Sequence, residues 1–243
     1  MESPIDSLTE EDIERIERTS LRSLFLATRD FANDAWEFFR QSEDDPKDIA
    51  EDITRELLDR LGGYSITQRI FGNVDYRKAR YVILSDLAVR QAFMVDSKAE
   101  KNNSSATLQM SQLSLTVRQQ RSGEVTDVSG NLPSVAEYNG NSYLTTVLLS
   151  HYHYSAQVGN DGKDRPPYAL KGITLVAVPN GKLQDIYNPN HEDTIFIAGR
   201  NAPSLGESFR VRLSFPRLES KTLWRVQKFT FTGHGEAQGD WRD

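Results

Sequence analysis

The periodicity of the chain changes at Gly62-Gly63, and that change constrains the fold more than any other feature. Before the glycine pair, apolar residues recur at helical spacing through Ile13, Ile16, Leu24, Ala27, Phe31, Ala35 and Phe38. Thr9 can cap this run, and Glu10, Glu11 and Asp12 suit the positive end of a helix dipole, so one long amphipathic helix is expected from residue 9 to about 41. A second helix is expected over roughly 46–61, with Asp45 as its cap, Pro46 in its first turn and the glycine pair as its stop. After Gly63 the runs shorten and become rich in β-branched and aromatic residues: "VDYRKARYVIL", "RQAFMVDSK", "SYLTTVLLSHYHY", "LKGITLVAVP", "DTIFIAG", "ESFRVRLSF" and "WRVQKFTFT". "SSATLQMSQLSLTVRQQ" suits helix or strand equally. "QRSGEVTDVSGNLPSVAEYNGNS" reads as the longest polar connection. With no internal repeat and no long linker, residues 1–243 are expected to form a single α+β (or mixed α/β) domain, two helices followed by a mixed sheet.

Cysteine is absent, which removes disulfides, thiolate zinc sites and thiol nucleophiles. The acidic N-terminus has no apolar core and is no secretory signal, and no run approaches the roughly 18 apolar residues that span a bilayer. A soluble cytoplasmic protein with no membrane partner is expected. The net charge of -6 speaks against nucleic acid, yet acid is concentrated in the first 60 residues. Basic groups recur later, in "DYRKAR", "FRVRLSFPR" and "LWRVQK", so a basic cleft stays open to the chain.

An acid-x-lysine triplet occurs four times, at Asp45, Asp96, Asp161 and Glu219. Asp45 sits at a helix cap, Asp161 in a turn and Glu219 after a proline-containing strand end. Asp96 alone closes an apolar strand. Residues i and i+2 of a strand share a face about 7 Å apart, so Asp96 and Lys98 point together while Ser97 points away. Asp75 lies 21 positions upstream in "FGNVDYRKAR", which suits a strand, a turn near Ser85-Asp86 and a return strand that brings the two acids together. Two carboxylates on Mg²⁺ and a lysine beside the attacking water are the minimum set for hydrolysing a phosphodiester. The ordinary reading of such a pair is a solvated strand end.

Two other patterns compete. His151 and His153 lie on one face of a strand and would suit a metal, as in cupin-like oxidoreductases, but no glutamate follows nearby and His191 sits in a loop. Arg210 and Arg212 alternate with Phe209 and Val211. That is either a half-buried strand with a basic solvent face or a strand offering two guanidiniums to guanine edges.

Seven segments, taken in order and spacing, resemble the SfiI-like type II restriction endonucleases of the PD-(D/E)xK superfamily. They are "AEDITREL", "NVDYRKAR", "MVDSKAEKN", "TLQMSQL", "SGEVT", "YNPNHEDTIFIAGR" and "FRVRLSFPRLE…LWRVQ". The resemblance runs from about Leu8 to the C-terminus, and the "VDYRKAR…VDSKAEKN…TLQMSQL" block is its most specific part. Val74 stands where the superfamily usually has proline. The resemblance implies a restriction-endonuclease-like core, a mixed central sheet flanked by helices. It implies Asp75 and Asp96 as Mg²⁺ ligands, Lys98 as the catalytic lysine, and Glu51 as a further acid turned towards the metal. It implies a homodimer or homotetramer cutting double-stranded DNA at GC-rich interrupted palindromes, the alternative being a catalytically inactive, sequence-specific DNA-binding relative. DNA contacts would come from Asn102, Asn103, Ser104, Arg200, Arg210 and Arg212. Asn103 stands where the resemblance leads one to expect arginine, which puts the target sequence in question.

Overall fold

The structure is a computed structural model that describes residues 5–61, 77–84 and 87–243. Helix α1 spans Glu10–Gln41, and Thr9 and Asp12 close a capping box at its start. Helix α2 spans Pro46–Arg60, with the Asp45 side chain accepting from Lys47 N. Both helices begin where their capping residues stand in the sequence; Gly62-Gly63 lies outside the described residues.

The strands are β1 Arg77–Leu84, β2 Leu87–Glu100, β3 Ser105–Gln109, β4 Thr116–Arg121, β5 Glu124–Ser129, β6 Val135–Tyr138, β7 Asn141–Val158, β8 Asp164–Val178, β9 Phe196–Ala198, β10 Arg210–Ser214, β11 Val226–Phe231 and β12 Ala237–Gln238. Short helices α3 (Gln184–Tyr187) and α4 (Phe215–Lys221) lie between the late strands. The large sheet runs β1-β2-β7-β8-β11-β12, and β6 also pairs with the start of β7. It is mixed, as expected: β2 and β7 are parallel, while their outer neighbours pair antiparallel. A three-stranded sheet, β3-β10-β9, and a β4-β5 hairpin complete the β structure.

The ambiguous segment after residue 103 resolves into strand β3, a turn of 3-10 helix at Met110–Gln112, and strand β4. The stretch expected to be a polar connection carries strands β5 and β6. Its alternation is muted because β5 pairs only with β4 and keeps most of its side chains in water.

Two cores pack on opposite faces of the large sheet. One joins Leu24, Phe25 and Phe39 of α1 and Ile53 and Leu57 of α2 to Phe93 and Val95 of β2 and Tyr152 of β7. The other joins Met94, Leu149 and Val176 to Leu108, Val211, Leu213 and Phe215 beneath the small sheet. Strand β2 is therefore covered on both sides, and alternation assigns its odd residues to the helices and its even residues to the small sheet. Asp96, Lys98 and Glu100 follow Met94 on the latter face, at the end of β2 where cover gives way to solvent. The hydroxyls of Thr54 (α2) and Tyr152 (β7) lie 2.9 Å apart and hold the second helix to the same region. No helix among the described residues is long and apolar enough to cross a membrane.

Candidate active site

The site forms where β2 leaves its apolar cover. Lys98 Nζ stands 2.8 Å from Asp96 Oδ2, with the two side chains 22 % and 25 % exposed, as the shared strand face requires. Burial raises the Asp96 carboxyl above the usual carboxylate range, and the charges of Lys98 and Lys47 and a hydrogen bond from Gln112 oppose that rise. Although Lys98 is close, Asp96 Oδ2 is buried and accepts no hydrogen bond of good geometry. A desolvated carboxylate oxygen with an unused lone pair suits a hard divalent cation, which takes oxygen ligands. Asp96 fits as one ligand of such an ion.

Lys47 connects the second helix to this point. It pairs with Glu51 at 3.6 Å, one turn along α2, and its charge reaches Asp96. Glu51 thus stands beside a lysine whose charge reaches Asp96, with its own side chain 36 % exposed. Asp75 lies outside the described residues. Its position in the sequence is two residues before Arg77, and Arg77 pairs with Met94, two residues before Asp96. Among the described residues no three His, Asp or Glu side chains converge on one point.

His151 and His153 are neighbours of Lys98 and Glu100 across the parallel β2–β7 pair. His151 is fully buried, packs edge-on against Phe215 with ring centroids 5.2 Å apart, and is held neutral by burial, its pKa lowered to about 4. His153 is half-buried, and burial lowers it too.

The residues expected on DNA divide into free and committed groups. Asn103 and Arg200 are exposed. Asn102 Oδ1 accepts from Ser104 N and Ser104 Oγ at 2.8 and 2.9 Å, shaping the loop after β2. Arg210 Nε is paired with the Glu207 carboxylate, whose other oxygen accepts from Gln109 Nε2. Arg212 is bound inward, through Glu100, Ser105 and Thr107. Glu100, grouped with the DNA-facing loop on sequence grounds, is thus an acceptor for Arg212. Alternation from Lys98 could have shown that it shares the face of Asp96. Sequence reasoning missed Lys47, Gln109, Gln112 and Glu207, because each meets its partner only through tertiary packing. It also missed Arg121, which donates to the carbonyls of Gly199 and Arg210 and stacks 4.8 Å over Phe209.

A mixed sheet with helices on one face, ending in an acid-lysine pair beside the strand of Arg210 and Arg212, defines a restriction-endonuclease-like fold. The solved structure of the restriction endonuclease BglI bound to its DNA recognition sequence shares that fold, with a TM-score of 0.63 at 17% identity over 90% of each chain. The chain belongs to the SfiI family of type II restriction enzymes: the model of that family, "Type II restriction enzyme SfiI", matches residues 15–229. The type II restriction enzyme SfiI of Streptomyces fimbriatus is 30% identical over 248 residues, covering 97% of this chain and 91% of the relative. The crystal structure of tetrameric SfiI bound to cognate DNA aligns with a TM-score of 0.86 and 27% identity, covering 100% of this chain and 94% of that one. The chain is therefore a site-specific endonuclease, and the reading of His151 and His153 as the centre of a metal-dependent β-fold oxidoreductase is set aside.

Proposed function

We propose that this endonuclease cuts both strands of duplex DNA at a GC-rich interrupted palindrome, with Mg²⁺ held by Asp75 and Asp96 and with Lys98 beside the attacking water. The observation that carries the reading is the desolvated Asp96 carboxylate with Lys98 Nζ at 2.8 Å. Mg²⁺, when bound, polarises the scissile phosphate and acidifies water. Asp96, with Asp75, would hold the ion, and Asp96 keeps the ammonium of Lys98 at the same edge. Lys98 orients the water by hydrogen bonding and offsets charge that builds on the phosphoryl oxygens. Glu51, carried by α2 beside Lys47, supplies a further carboxylate at the rim. Arg200, Arg210 and the loop residues Asn102, Asn103 and Ser104 meet the DNA. Glu207 holds Arg210 through Nε, which leaves the terminal nitrogens of the fork for a guanine edge.

Residues 1–243 act as one domain. The tetrameric assembly of the DNA-bound SfiI relative supports a homotetramer here, a dimer being the smaller symmetric unit that matches a two-fold site. The test is digestion of phage DNA with Mg²⁺ and then with EDTA, followed by sequencing of the fragment ends. Discrete fragments that EDTA abolishes, with ends that share one GC-rich interrupted palindrome, are expected. Intact DNA under every condition refutes the reading.

A further inference from the structure

A short turn joins the Asp96 carboxylate to the strand that carries Arg210. Strand β3 runs directly into the 3-10 turn Met110–Gln112, whose first residue is buried in the core beneath the small sheet. Two backbone bonds to Met110 O, from Leu113 N at 3.3 Å and Asn131 N at 2.8 Å, pin that turn. On it, Gln112 Oε1 accepts from Gln109 N at 2.9 Å. A carboxamide has one acceptor end and one donor end. With the acceptor end tied to Gln109, the amide nitrogen is the end that faces Asp96, to which the Gln112 side chain hydrogen-bonds. Gln109 is oriented in the same way. Ser111 Oγ donates to its Oε1 at 3.3 Å, and its Nε2 donates to Glu207 Oε1. The other oxygen of Glu207 pairs with Arg210 Nε, and the β10–β3 register sets Arg210 directly opposite Gln109. Asp96, Gln112, Gln109, Glu207 and Arg210 therefore make one chain of bonded groups with Gln109 at its middle. The side chains of Glu207 and Arg210 are 17 % and 24 % exposed, so little water competes for these bonds.

We propose that Gln109 and Gln112 are positioning residues that tie Arg210, seated on DNA, to the catalytic carboxylate of Asp96. The inference rests on the endonuclease reading above. Gln112 aims the carboxylate, and groups that orient a ligating carboxylate carry about 10–100-fold in activity. Gln109 links the two ends, its backbone N–H holding Gln112 and its side chain holding Glu207. A wrong base pair that unseats Arg210 then disturbs Glu207 and, through Gln109, the group that aims Asp96. Cleavage rate as well as binding falls at such a site.

The test uses full-length Q112M, Q112E and Q109M, with plasmids carrying the cleavage site mapped for the parent enzyme or that site with one base pair changed. Single-turnover cleavage with Mg²⁺, plasmid binding with Ca²⁺ in place of Mg²⁺, and thermal midpoints are measured. Methionine fills the volume of glutamine without its bonds. Q112E keeps the acceptor for Gln109 N and puts an oxygen in place of the donor towards Asp96. Both Gln112 variants are expected to lose about 10–100-fold in maximal rate on the mapped site, with Kd nearly unchanged. Q109M keeps the backbone bond to Gln112 and cuts the link to Glu207. It is expected to cut the mapped site at least about 5-fold slower at saturation, narrowing the rate ratio between the mapped and changed sites. Q112E at the parental rate would show that Gln112 only shapes its turn, and a Q109M loss confined to Kd would show that the two ends are not linked. Either result overturns the proposal. Should Q112M unfold below the assay temperature, Q112E and Q109M decide on the same split. A parent enzyme that cuts no DNA refutes the endonuclease reading itself; a cutting parent with equally active variants refutes only the positioning role.

Discussion

Replacing Arg225 with methionine tests the anchor that holds α1 to the sheet. Arg225 is fully buried, with its guanidinium 2.7 Å from Glu17 and 3.2 Å from Glu14, and it stacks over Tyr187 and Trp224 at 4.3 and 4.5 Å. Glu17 is only 1 % exposed and also accepts from Asn180 N at 2.9 Å. Methionine fills similar volume, so the loss comes mainly from stranding the Glu17 carboxylate without its cation. Breaking a buried pair from one side costs about 3–5 kcal/mol. At roughly 2–4 °C per kcal/mol for a chain of this size, the thermal midpoint should fall by about 6–20 °C. The pH dependence carries a sign. Burial raises Glu17 above its unfolded value, against the pull of Arg225, and removing the arginine raises it further. A carboxyl that binds its proton more tightly when folded loses stability as pH rises through its folded pKa. The deficit of R225M should therefore shrink between pH 7 and pH 5, and E17Q added to R225M should recover part of it. Calorimetry or circular dichroism at the two pH values gives the answer. A midpoint within 2 °C of the parent, or a deficit that grows in acid, refutes the reasoning.

Other outcomes follow from the same structure. A Cβ at Gly130 would stand 2.1 Å from the Leu113 carbonyl oxygen, so G130A should lose about 1–3 kcal/mol by urea titration, from strain at the β4–β5 hairpin base. E207Q should weaken binding to the cleaved site about 5–150-fold, read by competition against unrelated duplex, because Arg210 loses its orienting carboxylate. Lys98→Met should leave Ca²⁺-supported binding intact while slowing single-turnover cleavage at least about 100-fold.

Much of the fold is legible in the sequence. Thr9 and Asp45 announce their helices because capping is local chemistry, and Asp96 and Lys98 share a face because a strand has period two. Asp75, expected from its spacing to be the second carboxylate, lies outside the described residues. Strands β5 and β6 stayed hidden, since a strand with little burial has no reason to alternate. The division between Arg210 and Arg212 was beyond reach for a different cause. Both stand on one face of β10, and what separates them is Glu100, 112 residues away from Arg212, against Glu207, three residues away from Arg210. The reach of the Lys47 charge to Asp96 likewise depends on how α2 docks on β2, which no local pattern encodes.

Asp96 is proposed to hold the metal that drives cleavage. The most direct test of that role is the Asp96→Asn enzyme, which keeps the size of the side chain and removes its charge, assayed by single-turnover cleavage of the mapped plasmid site across a Mg²⁺ titration. A cleavage rate at least about 100-fold below the parent at saturating Mg²⁺, with plasmid binding preserved, is the predicted result. Cleavage at the parental rate with an unchanged Mg²⁺ midpoint would contradict it.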